Sequence, residues 1–359
     1  MRIIRSGARG RDVRDVQQRL GNLGYKIDAA ELVARYGEAT EAAVRAFQQQ
    51  RGLLADGIVG PETWGELVEA GYHVGDRTLY LRYPYFRGDD VRALQRRLNA
   101  LGFDAWREDG IFGEHVNTAV REFQRNVGRE PDGIVGPETY EALERLRPDV
   151  EAPSRALVRE AASIREPASL EGAVIALDPG HGPSDPGFTG PGGLEEFDAA
   201  FRLATELAQE LERRGAKPAM LRASNENPST SQRAKAANAL GAAACVSLHF
   251  GGGDAAAEGA TCTYFGTSET FSPAGQRLAE LIQEELTSRV GLADLRAHPM
   301  AFAILRETRM PAVQAEPCFI TNEREERLLG EDAFVRDLAV AIAIGLERFL
   351  GAQETAEAS

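Results

Sequence analysis

The chain has 359 residues, room for two or three domains and a substantial buried core. Its formal charge of −14 argues against a nucleic-acid surface and against an anionic membrane as main partner. No apolar run approaches the roughly 20 residues of a membrane span, which predicts no membrane insertion. Only three lysines occur, Lys26, Lys217 and Lys235, none in a motif, so Schiff-base and P-loop lysine chemistry are set aside. Cys245, Cys262 and Cys318 are odd in number and lie in apolar, strand-like runs. They read as buried free thiols rather than a disulfide framework.

The first half is an internal duplication. Gly10–Tyr25 matches Gly88–Phe103, Val44–Gly52 matches Val120–Gly128, and Asp56–Thr63 (DGIVGPET) recurs identically as Asp132–Thr139. The later blocks are offset by 76 residues and the first by 78, because the Tyr25–Tyr36 loop is longer than Phe103–Phe112. Val13, Val16, Leu20 and Leu23 fall on one helical face, as do Val91, Leu94, Leu98 and Leu101. Gly24 and Gly102 stand where helix C-terminal glycines belong. A second helix carries Val44, Phe47 and Gln48, and a third opens after Gly60-Pro61. Each copy is predicted to be a three-helix unit. The repeated opening, the A-V-x-x-F-Q centre and the D-G-I-V-G-P-E-T close resemble bacterial peptidoglycan-binding domains. The second copy keeps Asp109–Gly113 (DGIFG) before its second helix; the first has lost that Asp-Gly. A repeat fold does not fix function, and scaffolding or binding of another polymer is the alternative.

Pro148–Glu171 reads as a linker, interrupted by Pro148, Pro153 and Pro167, with a short helix at 155–164. Beyond it strand and helix alternate. Strands are expected at 173–177, 218–222, 243–248, 260–265 and 311–316. Helices are expected at 196–214, 229–240, 273–290, 300–307 and 332–350. The fold class is therefore two small all-α three-helix repeats followed by an α/β domain with a mostly parallel sheet covered by helices. The expected divisions are repeats at 5–73 and 83–147, linker 148–171, α/β domain 172–351 and a polar tail 352–359.

Three strands of that sheet end in chemistry. Ala173–Leu177 stops at the turn cluster Asp178-Pro179-Gly180, putting His181 just past a strand; Ala243–Leu248 leads into His249; Pro311–Ala315 leads into Glu316. If these strands are parallel neighbours, all three side chains emerge on one rim, the edge where ligands collect in open α/β sheets. The acidic pair Glu195-Glu196 follows the Gly-rich loop 187–193 and opens a helix. Two imidazoles and a carboxylate suit a catalytic zinc ion with a fourth position open to water. A single histidine at a strand end is commonly only a structural residue; two of five histidines placed this way is a stronger sign. Asp178 is a candidate support for a metal ligand, or simply a turn former.

In order, D-P-G-H-G, G-L-x-E-x-D, S-x-x-x-R-x-x-x-A-N, V-S-L-H and M-P-A-V-x-x-E-x-x-F-x-x-N resemble the zinc N-acetylmuramoyl-L-alanine amidases across Ala173–Leu350. The resemblance implies His181, Glu196 and His249 as ligands of Zn2+, with Glu316 as catalytic base. Arg233 and Asn238 match the R-x-x-x-A-N helix and would hold the rim or meet substrate. The implied reaction is hydrolysis of the amide joining the lactyl group of muramic acid to L-alanine, on peptidoglycan as polymer partner. Glu316 could instead cap the following turn or pair with Arg306. The chain departs from the family pattern at Pro183, at Phe250-Gly251 and at Pro317-Cys318. The N-terminus, MRIIRSGARGRDV, shows no signal-peptide core, so synthesis in the cytoplasm is expected, with action on the wall after export or release. The same two-repeat, signal-less pattern also resembles actinobacterial amidase-like regulators. The alternative is thus a weakly active or non-catalytic regulator that binds muropeptides or a protein of cell-wall synthesis.

Overall fold

The computed structural model describes residues 3–31, 34–146, 169–267 and 270–351. The expected helix at 155–164, most of the linker and the tail at 352–359 lie outside the described residues. The chain divides into two compact units, residues 1–160 and 161–359. No described helix is long and apolar enough to cross a membrane.

The first unit contains the two repeats. The first is built of α1 (Arg11–Asn22), α2 (Glu38–Arg51) and α3 (Pro61–Glu69); the second repeats them as α4 (Asp89–Ala100), α5 (Glu114–Asn126) and α6 (Pro137–Arg145). Each encloses its own small core, around Val16, Leu20, Phe47 and Leu67 in one and Leu94, Leu98, Phe112 and Phe123 in the other. Pro61 and Pro137 stand in the first turn of α3 and α6, where a missing N–H costs nothing.

Buried glutamines clamp the turns between helices. Gln124 donates to Asp132 Oδ1 at 2.7 Å and to the Ile134 carbonyl at 3.0 Å, and accepts from Gly133 N at 2.9 Å. Gln48 grips Asp56, Gly57 and Ile58 in the same way, and Gln95 grips Asp109, Gly110 and Ile111. The fourth place has lost its Asp-Gly. There Gln17 meets the carbonyls of Glu31 and Arg35, each at 2.9 Å, and Ala34 takes the left-handed conformation (φ 64°) that Gly110 has in the second repeat (φ 77°). Glu31 compensates by accepting the amides of Gly37, Ala39 and Thr40 at the start of α2.

The second unit is one six-stranded sheet in the order β2-β1-β3-β6-β4-β5. Its strands are β1 (Val174–Pro179), β2 (Lys217–Met220), β3 (Ala244–Leu248), β4 (Ala260–Phe265), β5 (Asp294–Met300) and β6 (Ala312–Glu316). All pairings are parallel except β4 with β6. The helices are α7 (Glu196–Arg213), α8 (Thr230–Leu240), α9 (Pro273–Val290), α10 (Ala303–Glu307), α11 (Glu323–Leu329) and α12 (Asp332–Gly351). α7, α9 and α12 pack on one face through Leu203, Leu207, Ile282 and Ile342, while α8 and α10 cover the other through Ala237 and Leu305.

Three expectations need correction. β1 does not stop at Asp178 but runs through Pro179. Pairing with β2 ends at Leu177–Met220, so proline's missing N–H leaves no partner unmet on that side. β5, absent from the expected strands, is an edge strand whose side chains are exposed or only half-buried; DLRAHPM alternates at Leu295, Ala297 and Pro299 but is short and carries an internal proline, and backbone pairing to β4 creates it. It displaces the start of the expected 300–307 helix to Ala303. α11, absent from the expected helices, is capped by Asn322, whose side chain accepts the Arg324 and Glu325 amides.

Candidate metal centre and catalytic rim

The strands β1, β3 and β6 are parallel neighbours, with Pro179 opposite Leu248 and Leu248 opposite Ala315. Their carboxyl ends therefore stand side by side. His249 follows β3 directly and its backbone N–H donates to the Ala315 carbonyl at 3.0 Å, so it sits beside Glu316, the last residue of β6. His181 lies two residues past β1 in the left-handed conformation (φ 57°), unusual for a residue with a side chain. Glu196 comes from elsewhere: it is the first residue of α7, delivered by the loop that begins at Gly187. Two glycines are required by this approach. A side chain at Gly180 would fall into the His249 ring, and one at Gly187 (φ 70°) into the Glu196 carboxylate.

His181, Glu196 and His249 offer donor atoms that all lie within 4.8 Å of one another, a group that could hold a metal ion. Glu196 Oε1 is 3.2 Å from His181 Nε2 and 3.0 Å from His249 Nδ1. The rings meet edge to face with centroids 4.9 Å apart. The carboxylate is held by the backbone, with Phe188 N donating to Oε2 at 3.0 Å and Phe250 N to Oε1 at 3.2 Å. Asp185 Oδ2 lies 3.1 Å from His181 Nδ1, which orients the ring so that Nε2 faces the cluster.

The electrostatics follow from this packing. Burial would raise the Glu196 carboxyl, but its hydrogen bonds to both histidines and their charges hold it far below the usual range. Burial would lower His181, yet the hydrogen bonds and charges of Glu196 and Asp185 outweigh it and raise the ring. Burial also raises Glu316, against the opposing pull of His249 and a hydrogen bond from Gln314 Nε2 at 2.8 Å. Arg306, the alternative partner for Glu316, stands by Glu307 at 3.9 Å.

The other sequence-singled residues lie below the rim. Asp178 is fully buried inside β1, accepts from Ser247 Oγ at 2.7 Å and pairs with Arg233 at 3.3 Å. Neither interaction reaches His181, Glu196 or His249; the carboxylate faces Arg233 of α8 instead. Arg233 donates to the Pro179 carbonyl at 3.0 Å. Asn238 ties α8 to the segment after α10, donating to the Glu307 carbonyl and accepting from Arg309 N, each at 2.8 Å. The departure at Phe250-Gly251 has a steric account: Phe250 is buried in the core, and at Gly251 a Cβ would come within 2.7 Å of the Phe319 ring. Two side chains at the site were not singled out by sequence. Asp185 could have been noticed four residues after His181; Arg222 follows an apolar run with no local signal.

Paired helical binding modules and an α/β unit with a two-histidine, one-glutamate rim define a class of modular hydrolases. The C-terminal residues 175–348 match the N-acetylmuramoyl-L-alanine amidase family, and residues 9–67 and 87–143 match the putative peptidoglycan binding domain. The N-acetylmuramoyl-L-alanine amidase CwlM of Mycobacterium tuberculosis is 41% identical over 297 residues, 80% of this chain and 73% of that protein. The uncharacterized protein YqiI of Bacillus subtilis is 32% identical over 50% of this chain and 86% of its own length. The crystal structure of an N-acetylmuramoyl-L-alanine amidase from Clostridium difficile 630 is similar at 27% identity and a TM-score of 0.48, covering 50% of this chain and 97% of that one. The chain belongs to the N-acetylmuramoyl-L-alanine amidase family and carries two peptidoglycan-binding repeats.

Proposed function

We propose that the C-terminal unit hydrolyses the amide between the lactyl group of N-acetylmuramic acid and L-alanine in peptidoglycan, at a zinc centre held by His181, Glu196 and His249. The observation that carries this reading is the convergence of two imidazoles and one carboxylate, drawn from three separate segments, beside Glu316 on one rim. The donor set suits zinc: neutral nitrogen and carboxylate oxygen, three in number, with one position left for water. Zinc bound there would polarise the scissile carbonyl and acidify the attacking water. Glu316 takes a proton from that water at its carboxylate and passes it to the departing alanine nitrogen. Its buried setting favours the protonated form that the second transfer needs. Asp185 and the Phe188 and Phe250 amides keep His181 and Glu196 in place, so little reorganisation accompanies the reaction.

The repeats tether this unit to the polymer and raise its local concentration there. A purely regulatory role is not favoured, since ligand donors and base are all present together. Digestion of purified peptidoglycan should release alanine amino groups in a chelator-sensitive manner; no release from zinc-loaded protein would refute the reading. Residues 1–160 should sediment with insoluble peptidoglycan by themselves. A cytoplasmic pool of the protein and a cell-wall-synthesis protein partner are further parts of this proposal, tested by fractionation and by co-purification.

A further inference from the structure

Arg222 lies two residues past the end of β2, 3% exposed, beneath the His181 turn. Its guanidinium makes no ion pair among the described residues and instead grips main-chain carbonyls. Nε donates to Pro179 O at 2.9 Å; Nη2 donates to Gly180 O and to Phe197 O, both at 3.0 Å; Nη1 donates to Ala223 O at 3.2 Å. Gly180 is the residue before His181, and Phe197 is the residue after Glu196. One nitrogen atom thus ties together the two segments that carry two of the three donors, which enter the site from a strand end and a helix start.

A buried cation is costly unless it is hydrogen-bonded, and an apolar side chain of similar volume would pack here without that cost. What an apolar residue cannot do is hold three carbonyls in a fixed plane; neither can the single ammonium of lysine. The His181 turn also needs holding. A non-glycine residue at φ 57° is strained, and the Pro179 carbonyl has no strand partner once β2 ends. The binding of a metal by residues from different segments depends on their spacing, and the groups behind the ligands commonly set it.

We infer that Arg222 is a positioning residue for the metal centre, fixing the distance between His181 and Glu196 by bridging the backbone on which each is mounted. The inference rests on the metal-centre reading above. It assigns to Arg222 a role in metal affinity and coordination geometry, separate from its share in stability.

The test uses the full chain and three variants: Arg222→Lys, His181→Ala, and Gln283→Ala. Gln283 is a buried residue that bonds the Ala260 carbonyl at 2.7 Å, away from the donors, and serves as control for loss of stability alone. Zinc affinity is read by competition with a chromophoric chelator, geometry by the visible spectrum of the cobalt-substituted protein, and stability by melting temperature. Arg222→Lys should bind zinc about 10- to 100-fold more weakly, with an altered cobalt spectrum, while Gln283→Ala melts earlier with zinc affinity and spectrum unchanged. A folded Arg222→Lys with wild-type affinity and spectrum overturns the inference. So does a loss of affinity in Gln283→Ala that matches its loss of stability, for then the effect is general. Equal zinc binding by wild type and His181→Ala refutes the metal centre itself, a distinct outcome. One measurement needs no variant of Arg222. In wild-type protein labelled with ¹⁵N-arginine, adding zinc should shift the Arg222 Nε–H signal, and an unmoved signal overturns the inference.

Discussion

In the repeat unit, Gln48, Gln95 and Gln124 each devote a buried amide to a single turn, and each set of bonds closes on itself. In the α/β unit, buried polar groups from different segments close on one another: Glu196 meets His181 and His249, and Arg222 meets Pro179, Gly180 and Phe197. The first arrangement is local and can be duplicated with its stretch of sequence, which is how it occurs three times. The second exists only once the sheet has formed, and it leaves donor atoms facing a common point. A closed local clamp contributes stability; a convergent cluster contributes chemistry.

The sharpest way to separate the two is Glu316→Gln. It keeps shape and removes the proton acceptor, so turnover on peptidoglycan should fall about 10²- to 10⁴-fold with zinc content and polymer binding unchanged. An equally active but destabilised variant would place Glu316 with the structural clamps instead. Next in size is the metal. His181→Ala or His249→Ala should take the protein from about one zinc per chain to none retained after dialysis, measured by elemental analysis, while the repeats still sediment with peptidoglycan.

On the other side of the comparison, Gln124→Ala leaves the buried Gly133 amide without its acceptor. It should cost about 1–3 kcal/mol of the repeat unit's stability by urea unfolding, with zinc binding untouched. The smallest effect concerns the place where the clamp was lost. Burial would raise Glu31, but the Thr40 hydroxyl and the Ala39, Thr40 and Gly37 amides lower it below its ordinary 4.5. A depressed carboxyl stabilises above its unfolded value and loses that contribution as pH falls through its folded value. The first repeat should therefore weaken as pH drops below about 4.5, and Glu31→Gln should flatten that dependence in chemical denaturation monitored against pH.

The duplication was legible because each repeat is a local object: helix faces, Gly and Pro boundaries and the DGIVGPET block all act within a few turns of chain. His181, His249 and Glu316 could be placed on one edge because apolar runs ending abruptly mark strand ends, and the sheet order put those three strands together. Glu196 was found through the resemblance and not through spacing, since a helix start reaches the rim only by way of a loop whose path is set in three dimensions. β5 carries an internal proline and buries none of its side chains fully, and α11 is only 7 residues long; one is made by pairing with β4 and the other by the cap at Asn322.

Sequence alone determined the elements whose stability is local, namely the repeated helices, most strands of the sheet and the residue types able to bind a metal. The tertiary structure decided which of those residues meet. It put Asp178 under the rim with Arg233 and Ser247, brought Asp185 to His181, and set Arg222 between the His181 turn and α7. The physical reason is range. A helical face or a strand end is set by neighbours a few residues apart, whereas Arg222 and Gly180 stand 42 residues apart and are joined only after the sheet has closed the distance.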